Sequence, residues 1–140
     1  MNAGIDPGRW KTGVAFEEDG RLLFSAIVPQ EKASVLCSAF SEGRWEPLAQ
    51  WRAEGELKNI SGKKADRVFI GNGTSSSAFR AAFPVEHLTS DEYGTTLEAR
   101  KLFWLLHPPR GLMKLVPLSL RTPPRNIDDL AAFAIILKNK

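Results

Sequence analysis

Three short apolar runs at the start of the chain are joined by turns too tight to hold a crossover. Ile5-Asp6, Gly13-Val14-Ala15-Phe16 and residues 22–28 are separated by Asp6-Pro7-Gly8 and by Asp19-Gly20, both turn chemistry. Connections this short imply antiparallel neighbours. Beyond them the pattern changes. Residues 30–58 read as helical, with Val35, Leu36, Ala39 and Phe40 on one face, a break near Gly43, and Trp45, Leu48, Ala49 and Arg52 at helical spacing. Pro47 fits only the first turn of that second piece.

Ser61-Gly62-Lys63-Lys64 is a loop, and Val68-Phe69-Ile70 is a strand that ends in Gly71-Asn72-Gly73-Thr74 before a helical pattern through Phe79, Ala82 and Phe83. Residues 85–88 read as a further strand and 91–107 as a helix stopped by Pro108-Pro109. Five of the nine prolines lie between Pro108 and Pro124, which excludes regular helix or central strand there. Asn126 is placed to cap a last helix over residues 127–137, apolar nearly all round and therefore buried. Hairpin-linked strands followed by strands alternating with helices predict a single α/β domain over residues 1–140, with a mixed sheet covered on both faces.

Composition agrees with a chain that carries its own core. Of 140 residues, 43% are hydrophobic and 25% charged, and a domain of this size buries roughly 68% of its unfolded surface. It needs no disulfide, and its one cysteine, Cys37, lies among apolar neighbours as a buried thiol rather than a nucleophile, which fits a reducing compartment. The first residues lack a basic, then apolar, leader pattern, and no apolar run reaches the roughly 18 residues of a membrane span, so a cytoplasmic protein without membrane association is expected. Nineteen Lys and Arg against sixteen Asp and Glu leave +3, but the distribution matters more. From Ala99 to Ile127 there is no acidic residue, while Arg100, Lys101, Arg110, Lys114, Arg121 and Arg125 all fall there. Such a basic segment permits a nucleic-acid partner.

His87 and His107 stand alone, without zinc-ligand spacing, and the chain has no Gly-x-Ser-x-Gly, Walker-type or Gly-x-Gly-x-x-Gly motif. Gly71-Asn72-Gly73-Thr74-Ser75 reads either as a phosphate-cradling turn or as a plain tight turn. The carboxylates carry more. Asp6 ends the first strand, Asp91-Glu92 precedes Thr95-Thr96-Leu97-Glu98, and Asp128-Asp129 opens the last helix. Singly, each has a structural role: a turn former, dipole partners at a helix start, and half of a capping box. Together they are what hard Mg²⁺ or Mn²⁺ requires, since oxygen ligands can hold two such ions about 4 Å apart over a phosphodiester.

Gly4-Ile5-Asp6-Pro7-Gly8-Arg9-Trp10-Lys11-Thr12-Gly13-Val14-Ala15, Asp91-Glu92-Tyr93-Gly94-Thr95-Thr96-Leu97-Glu98-Ala99-Arg100 and Asp128-Asp129-Leu130-Ala131-Ala132 resemble, in order, three motifs of one family. It is the YqgF/RuvX-type family of Holliday-junction resolvases, also described as pre-16S rRNA-processing nucleases. The resemblance implies a ribonuclease H-like fold, a five-stranded mixed sheet in order 3-2-1-4-5 with helices on both faces. It further implies a Mg²⁺- or Mn²⁺-dependent endonuclease whose catalytic ligands map onto Asp6, Glu92 and a C-terminal aspartate. Asp128 shares a helical face with Ala131, Ala132 and Ile135 and is the preferred choice, with Asp129 as an alternative or supporting metal ligand. Tyr93 departs from the pattern, where many relatives carry Arg, and the stretch between Val28 and Val68 is longer than the family's usual single helix.

Arg9 and Lys11 beside Asp6, with Arg110, Lys114, Arg121 and Arg125, are candidate phosphate contacts or solvated basic residues, and Trp10 is placed either to stack on a base or to pack over the sheet edge. The expected substrate is structured RNA or branched DNA, and the expected assembly a monomer or homodimer. The alternative on the same fold is a non-catalytic nucleic-acid-binding ribosome-maturation factor.

Overall fold

The computed structural model describes residues 1–73 and 76–140. Strands β1 (Asn2–Pro7), β2 (Lys11–Glu18) and β3 (Arg21–Pro29) form the antiparallel trio that the tight turns require. On the other side of β1, β5 (Arg67–Gly71) and β6 (Leu88–Ser90) add in parallel, each returned to the sheet after a stretch of helix or loop. β4 (Arg52–Gly55) pairs antiparallel with the outer edge of β3. The mixed sheet therefore has six strands in the order β4-β3-β2-β1-β5-β6, which corrects the five-stranded 3-2-1-4-5 sheet.

The additional strand comes from the stretch read as helix to residue 58. Helix α1 (Ala33–Glu42) ends at Gly43 in the left-handed region, and a 3-10 turn over Glu46–Trp51 carries Pro47 in its first positions. Gly55 then crosses so close to β3 that a Cβ on it would stand 2.2 Å from the Leu23 carbonyl oxygen, at a φ of +72° that favours glycine. Four half-exposed residues offer no alternation to read, and edge pairing with β3 decides their state. Two other boundaries shift. The strand expected at 85–88 is Leu88–Ser90, in register with Phe69–Gly71, and the helix expected from residue 91 is α3 (Thr95–Leu106), which starts after Gly94 at φ +79°.

Side chains alternate across the sheet, so each strand feeds two cores. Ile5, Val14, Phe16, Phe24 and Ile70 face α1, where Phe16, Phe40 and Trp45 interlock at ring separations of 4.8–5.8 Å. A short helix, α2 (Ser77–Ala82), brings Phe83 against Phe40 at 5.2 Å. Ala15 and Phe69 face the opposite way, into a core made with α4 (Asp128–Asn139) and α3. Every residue of α4 from Asp129 to Ile136 is buried, because the sheet covers one side of the helix and α3 another. Its N-cap is Ile127 without a side-chain cap, so neither Asn126 nor Asp129 performs the capping expected of it.

Among the described residues no helix is long and apolar enough to cross a membrane.

Two glycines let α4 sit directly on the strands. A Cβ on Gly4 would stand 2.3 Å from the Ala132 carbonyl oxygen, and one on Gly13 only 2.0 Å from that of Asp128. Both atoms belong to backbone, which cannot rotate away. Gly13→Ala should therefore lower folding stability by roughly 1–3 kcal/mol or more, the scale of overpacking in a close-packed core. Urea denaturation measures it; an unchanged midpoint would show that the first turn of α4 lifts from β2 without cost.

Candidate active site

Asp6 lies in register with Gly13, at the end of β1, on the strand face that Gly4 turns toward α4. Glu92 reaches the same place from the loop between β6 and α3. That loop is held at several points. Asn72 donates its backbone N–H to the Ser90 carbonyl at 2.9 Å and its side-chain oxygen accepts the Glu92 N–H at 3.2 Å. Thr95 donates both its N–H and its hydroxyl to the Glu92 carbonyl, at 3.0 and 2.7 Å, and Lys138 from α4 donates to the Asp91 carbonyl at 2.9 Å. The glycines of the turn after β5 leave the carboxylate its room: a Cβ on Gly71 or Gly73 would fall 2.0 or 2.4 Å from a Glu92 carboxylate oxygen. This turn seats an acid, and a like charge lying on it argues against a phosphate cradle at Gly71 and Gly73; Thr74 and Ser75 lie outside the described residues.

Asp6 and Glu92 face each other with no donor between them. Glu92 Oε1 is buried and, among the described residues, has no hydrogen-bond partner. Burial, then the Glu92 charge and the hydrogen bond to Glu92 that a proton on Asp6 permits, then the more distant Asp128 charge, push the Asp6 carboxyl up to about 8. Two acceptors in this relation need a proton or a cation between them. The donor set, all carboxylate oxygen, fits a hard divalent ion. Among the described residues no three acidic, histidine or cysteine side chains converge tightly enough to enclose an ion unaided, so the arrangement is a pair with Asp128 standing off.

The two adjacent aspartates of α4 have different surroundings. Asp128, whose side chain is 29% exposed, faces the same cleft as Asp6 and lies 3.6 Å from Lys11 Nζ. Asp129 is fully buried, accepting the Ser25 hydroxyl at 2.6 Å and the Arg125 guanidinium at 2.8 and 3.3 Å. The structure thus brings Asp6, Glu92 and Asp128 to one end of the sheet and binds Asp129 into another network. Asp91 is exposed and accepts the Tyr93 N–H at 2.9 Å, which shapes the loop rather than the acidic pair.

The cleft lined by Asp6 and Asp128 has a volume of about 640 Å³, and Glu92 lies outside its lining. Of the six basic residues expected along a nucleic-acid path, Lys11 and Arg125 line it, but Arg125 is already committed to Asp129 and, at 2.6 Å, to Glu54. Arg121 donates to the carbonyls of Val116 and Lys114 at 2.8 and 3.2 Å and braces its own segment. Arg110 and Lys114 are exposed on that segment, away from the cleft lining. Arg9 lies over the ring of Trp10 at 5.6 Å, and Trp10, 78% exposed, does not pack over the sheet edge. The cleft instead presents Arg100 with Thr96 and Asn126. Among the described residues Arg100 has no carboxylate within ion-pair distance, and its spacing of four from Thr96 was the signal available for it. His87 bonds the Val85 carbonyl oxygen and His107 bonds Glu54, so neither histidine joins the acidic pair. Cys37 is partly buried, its thiol pushed up by desolvation, as expected of an unreactive cysteine.

Compared with known proteins, the chain matches no family model and no curated sequence.

The raised carboxyl has a thermodynamic signature. The folded chain keeps a proton on Asp6 that the unfolded chain, with an aspartate near 3.8, has released. The contribution of Asp6 to stability is therefore fully present below about pH 4 and is lost as pH rises through about 8. In metal-free buffer the thermal midpoint of Asp6→Asn should gain on that of the unsubstituted chain steadily between those values. Parallel profiles for the two proteins would contradict the close carboxylate pair.

Proposed function

We propose that the chain is a divalent-metal-dependent endonuclease of the ribonuclease H-like kind, acting on phosphodiesters in structured nucleic acid, either precursor ribosomal RNA or a branched DNA junction. The observation that carries this reading is the Asp6–Glu92 pair, two facing carboxylates with an orphaned buried oxygen on Glu92, of which Asp6 lines a cleft with basic walls. The resemblance of the three motifs to the YqgF/RuvX-type family supports it, as does the run β3-β2-β1-β5-β6 within the sheet, to which β4 adds an edge.

Asp6 and Glu92 would hold Mg²⁺ or Mn²⁺, with Asp128 completing the set from the helix side. The bound metal would supply an activated water and stabilise the leaving oxygen of the phosphodiester. Lys11, 3.6 Å from Asp128, restrains that carboxylate and carries positive charge into the cleft. Arg100, on the cleft wall formed by α3, is placed to meet the scissile or an adjacent phosphate with a planar donor fork. Thr96 and Asn126 add neutral donors on the same wall. Arg9 with Trp10, and Arg110 with Lys114, would meet the nucleic acid outside the cleft. Asp129 acts through Arg125 and Ser25 to fix the first turn of α4 and is a positioning residue in this reading.

The non-catalytic maturation factor is favoured by one specific observation, that Asp128 stands off from the acidic pair and is met by Lys11. Cleavage of a labelled four-way DNA junction and a structured precursor-rRNA fragment, with Mg²⁺, Mn²⁺ or EDTA, decides between the two. The nuclease should cut one of them only with metal, and Asp6→Asn should lower the rate by at least about a thousandfold while retaining the fold by circular dichroism. Binding without turnover in either metal would replace the nuclease with the maturation factor.

Arg100→Gln should raise KM several-fold and flatten the salt dependence of binding by about one phosphate contact, with kcat little changed. Equal salt slopes for the two proteins would remove Arg100 from the substrate path.

A further inference from the structure

Residues 108–124 leave α3 at His107 and re-enter the fold at Arg125, and both ends close on one oxygen. His107 Nε2 lies 2.7 Å from Glu54 Oε2, and Arg125 Nη2 lies 2.6 Å from the same atom. Glu54 belongs to β4, the edge strand, and its side chain is only 15% exposed. Behind it, Arg125 carries the contact inward to Asp129, and Asp129 to Ser25 on β3. Phe103 packs beneath both groups, with the His107 ring at 4.8 Å and the Arg125 guanidinium at 5.6 Å.

The segment between these ends gains little from burial. Its two 3-10 turns, Gly111–Leu115 and Leu118–Leu120, leave Leu112, Leu115 and Leu120 largely exposed. Arg121 ties the two turns together through the carbonyls of Val116 and Lys114, which shapes the arm without anchoring it to the sheet. Its last residues, Thr122 to Pro124, wall the cleft that holds Asp6 and Asp128. The arm meets α3 through the Trp104 indole N–H, which donates to the Arg121 carbonyl at 3.5 Å, and the remaining polar restraint on the wall is the closure at its two ends.

We propose that Glu54 is a positioning residue for the substrate cleft: a single carboxylate on the edge strand that clamps His107 and Arg125 and so closes residues 108–124 into a loop that sets the cleft's outer wall. The proposal rests on the nucleic-acid reading of that cleft. Glu54 touches no substrate; it acts through Arg125 and the residues that precede it.

Limited tryptic digestion, followed by mass spectrometry at Arg110 and Lys114, reads the arm without reference to activity. Glu54→Gln should speed cleavage at those two sites at least about threefold relative to the other tryptic sites, and His107→Gln should do so to a smaller extent. His107 is half-exposed, so its substitution leaves the Arg125–Asp129 pair and the fold intact. Both variants should bind a fluorescein-labelled structured RNA or junction DNA several-fold more weakly, raising KM with kcat within about twofold, and Glu54→Asp should restore part of the affinity. Unchanged digestion at Arg110 and Lys114 in both variants would overturn the clamp, and so would a loosened arm with unchanged affinity. Loss of protection and affinity in the variants, combined with no cutting by the unsubstituted chain in Mg²⁺ or Mn²⁺, would support the clamp and reject the nuclease alone.

Discussion

The contact on which the rest of the structure depends is the close approach of α4 to β1 and β2. A helix is normally held off a sheet by the side chains between them; Gly4 and Gly13 contribute none, so the Ala132 and Asp128 carbonyls of the helix, with the Ile136 side chain over Gly4, approach the strands directly. This fixes the height of α4 and also its rotation. Asp128 and Asp129 are about 100° apart around the helix axis, so one rotation sends the first into the cleft above Asp6 and the second down to Ser25 and Arg125. A rotation by one position would bury the wrong acid beside Asp6 and leave Arg125 without its inner partner.

Like charges held together cost stability, and the surrounding structure shows how that cost is contained. The Glu92 backbone is held by Asn72 and Thr95, the neighbouring Asp91 carbonyl by Lys138, and two glycines clear room for the Glu92 carboxylate beside Asp6. Relief comes through protonation of Asp6, which in the metal-free chain is the least expensive way to remove one charge. Elsewhere the same fold treats buried acid differently. Glu17, fully buried where Asp6 is partly exposed, is met by Lys140, the Asn2 amide and the Gly20 N–H; burial pushes its carboxyl up, and these partners outweigh that and hold it low. Glu17 is satisfied, whereas Glu92, which faces Asp6, keeps an orphaned oxygen. Such an oxygen beside a second carboxyl is what the proposed metal site would use.

Much of this was legible in the sequence where a local rule governs. Asp6-Pro7-Gly8 and Asp19-Gly20 forced the antiparallel start, and the unbroken apolar pattern after Asp129 required a buried helix. Asp6, Asp91-Glu92 and Asp128-Asp129 stood out because they fall at a strand end and at helix starts, while the choice of Glu92 and a C-terminal aspartate as ligands came from the family resemblance. What escaped depends on partners distant in sequence. β4 is a strand only because β3 had a free edge; Arg52-Ala53-Glu54-Gly55 has no period of its own. Arg121 and Arg125 looked like phosphate contacts because composition counts charge and cannot see whether a carbonyl or a carboxylate already answers it. Arg100 went unremarked as a site residue because it is one of several basic residues on a helix, and only the placement of α3 tells which of them faces the cleft.

The unforeseen edge strand and the proline-rich arm are linked by the same physics. Five prolines deny residues 108–124 a hydrogen-bonded ladder, so the arm cannot join the sheet, and its leucines find no core to enter. A segment without ladder or core is held by few contacts: the Trp104 indole N–H reaches the Arg121 carbonyl at 3.5 Å, and its two ends, His107 and Arg125, both meet one carboxylate. The sheet therefore has to offer them an anion at the correct height, and β4 does so by carrying Glu54 out along the flank of β3 to a point beside Phe103. A largely desolvated carboxylate paired with a guanidinium and bonded to an imidazole over an aromatic ring is screened by salt far less than an exposed pair. In the nucleic-acid reading proposed above, the wall of the cleft would stay in place while Arg110 and Lys114, at the exposed part of the arm, supply the weak and salt-sensitive attraction that suits a first encounter with a polyanion.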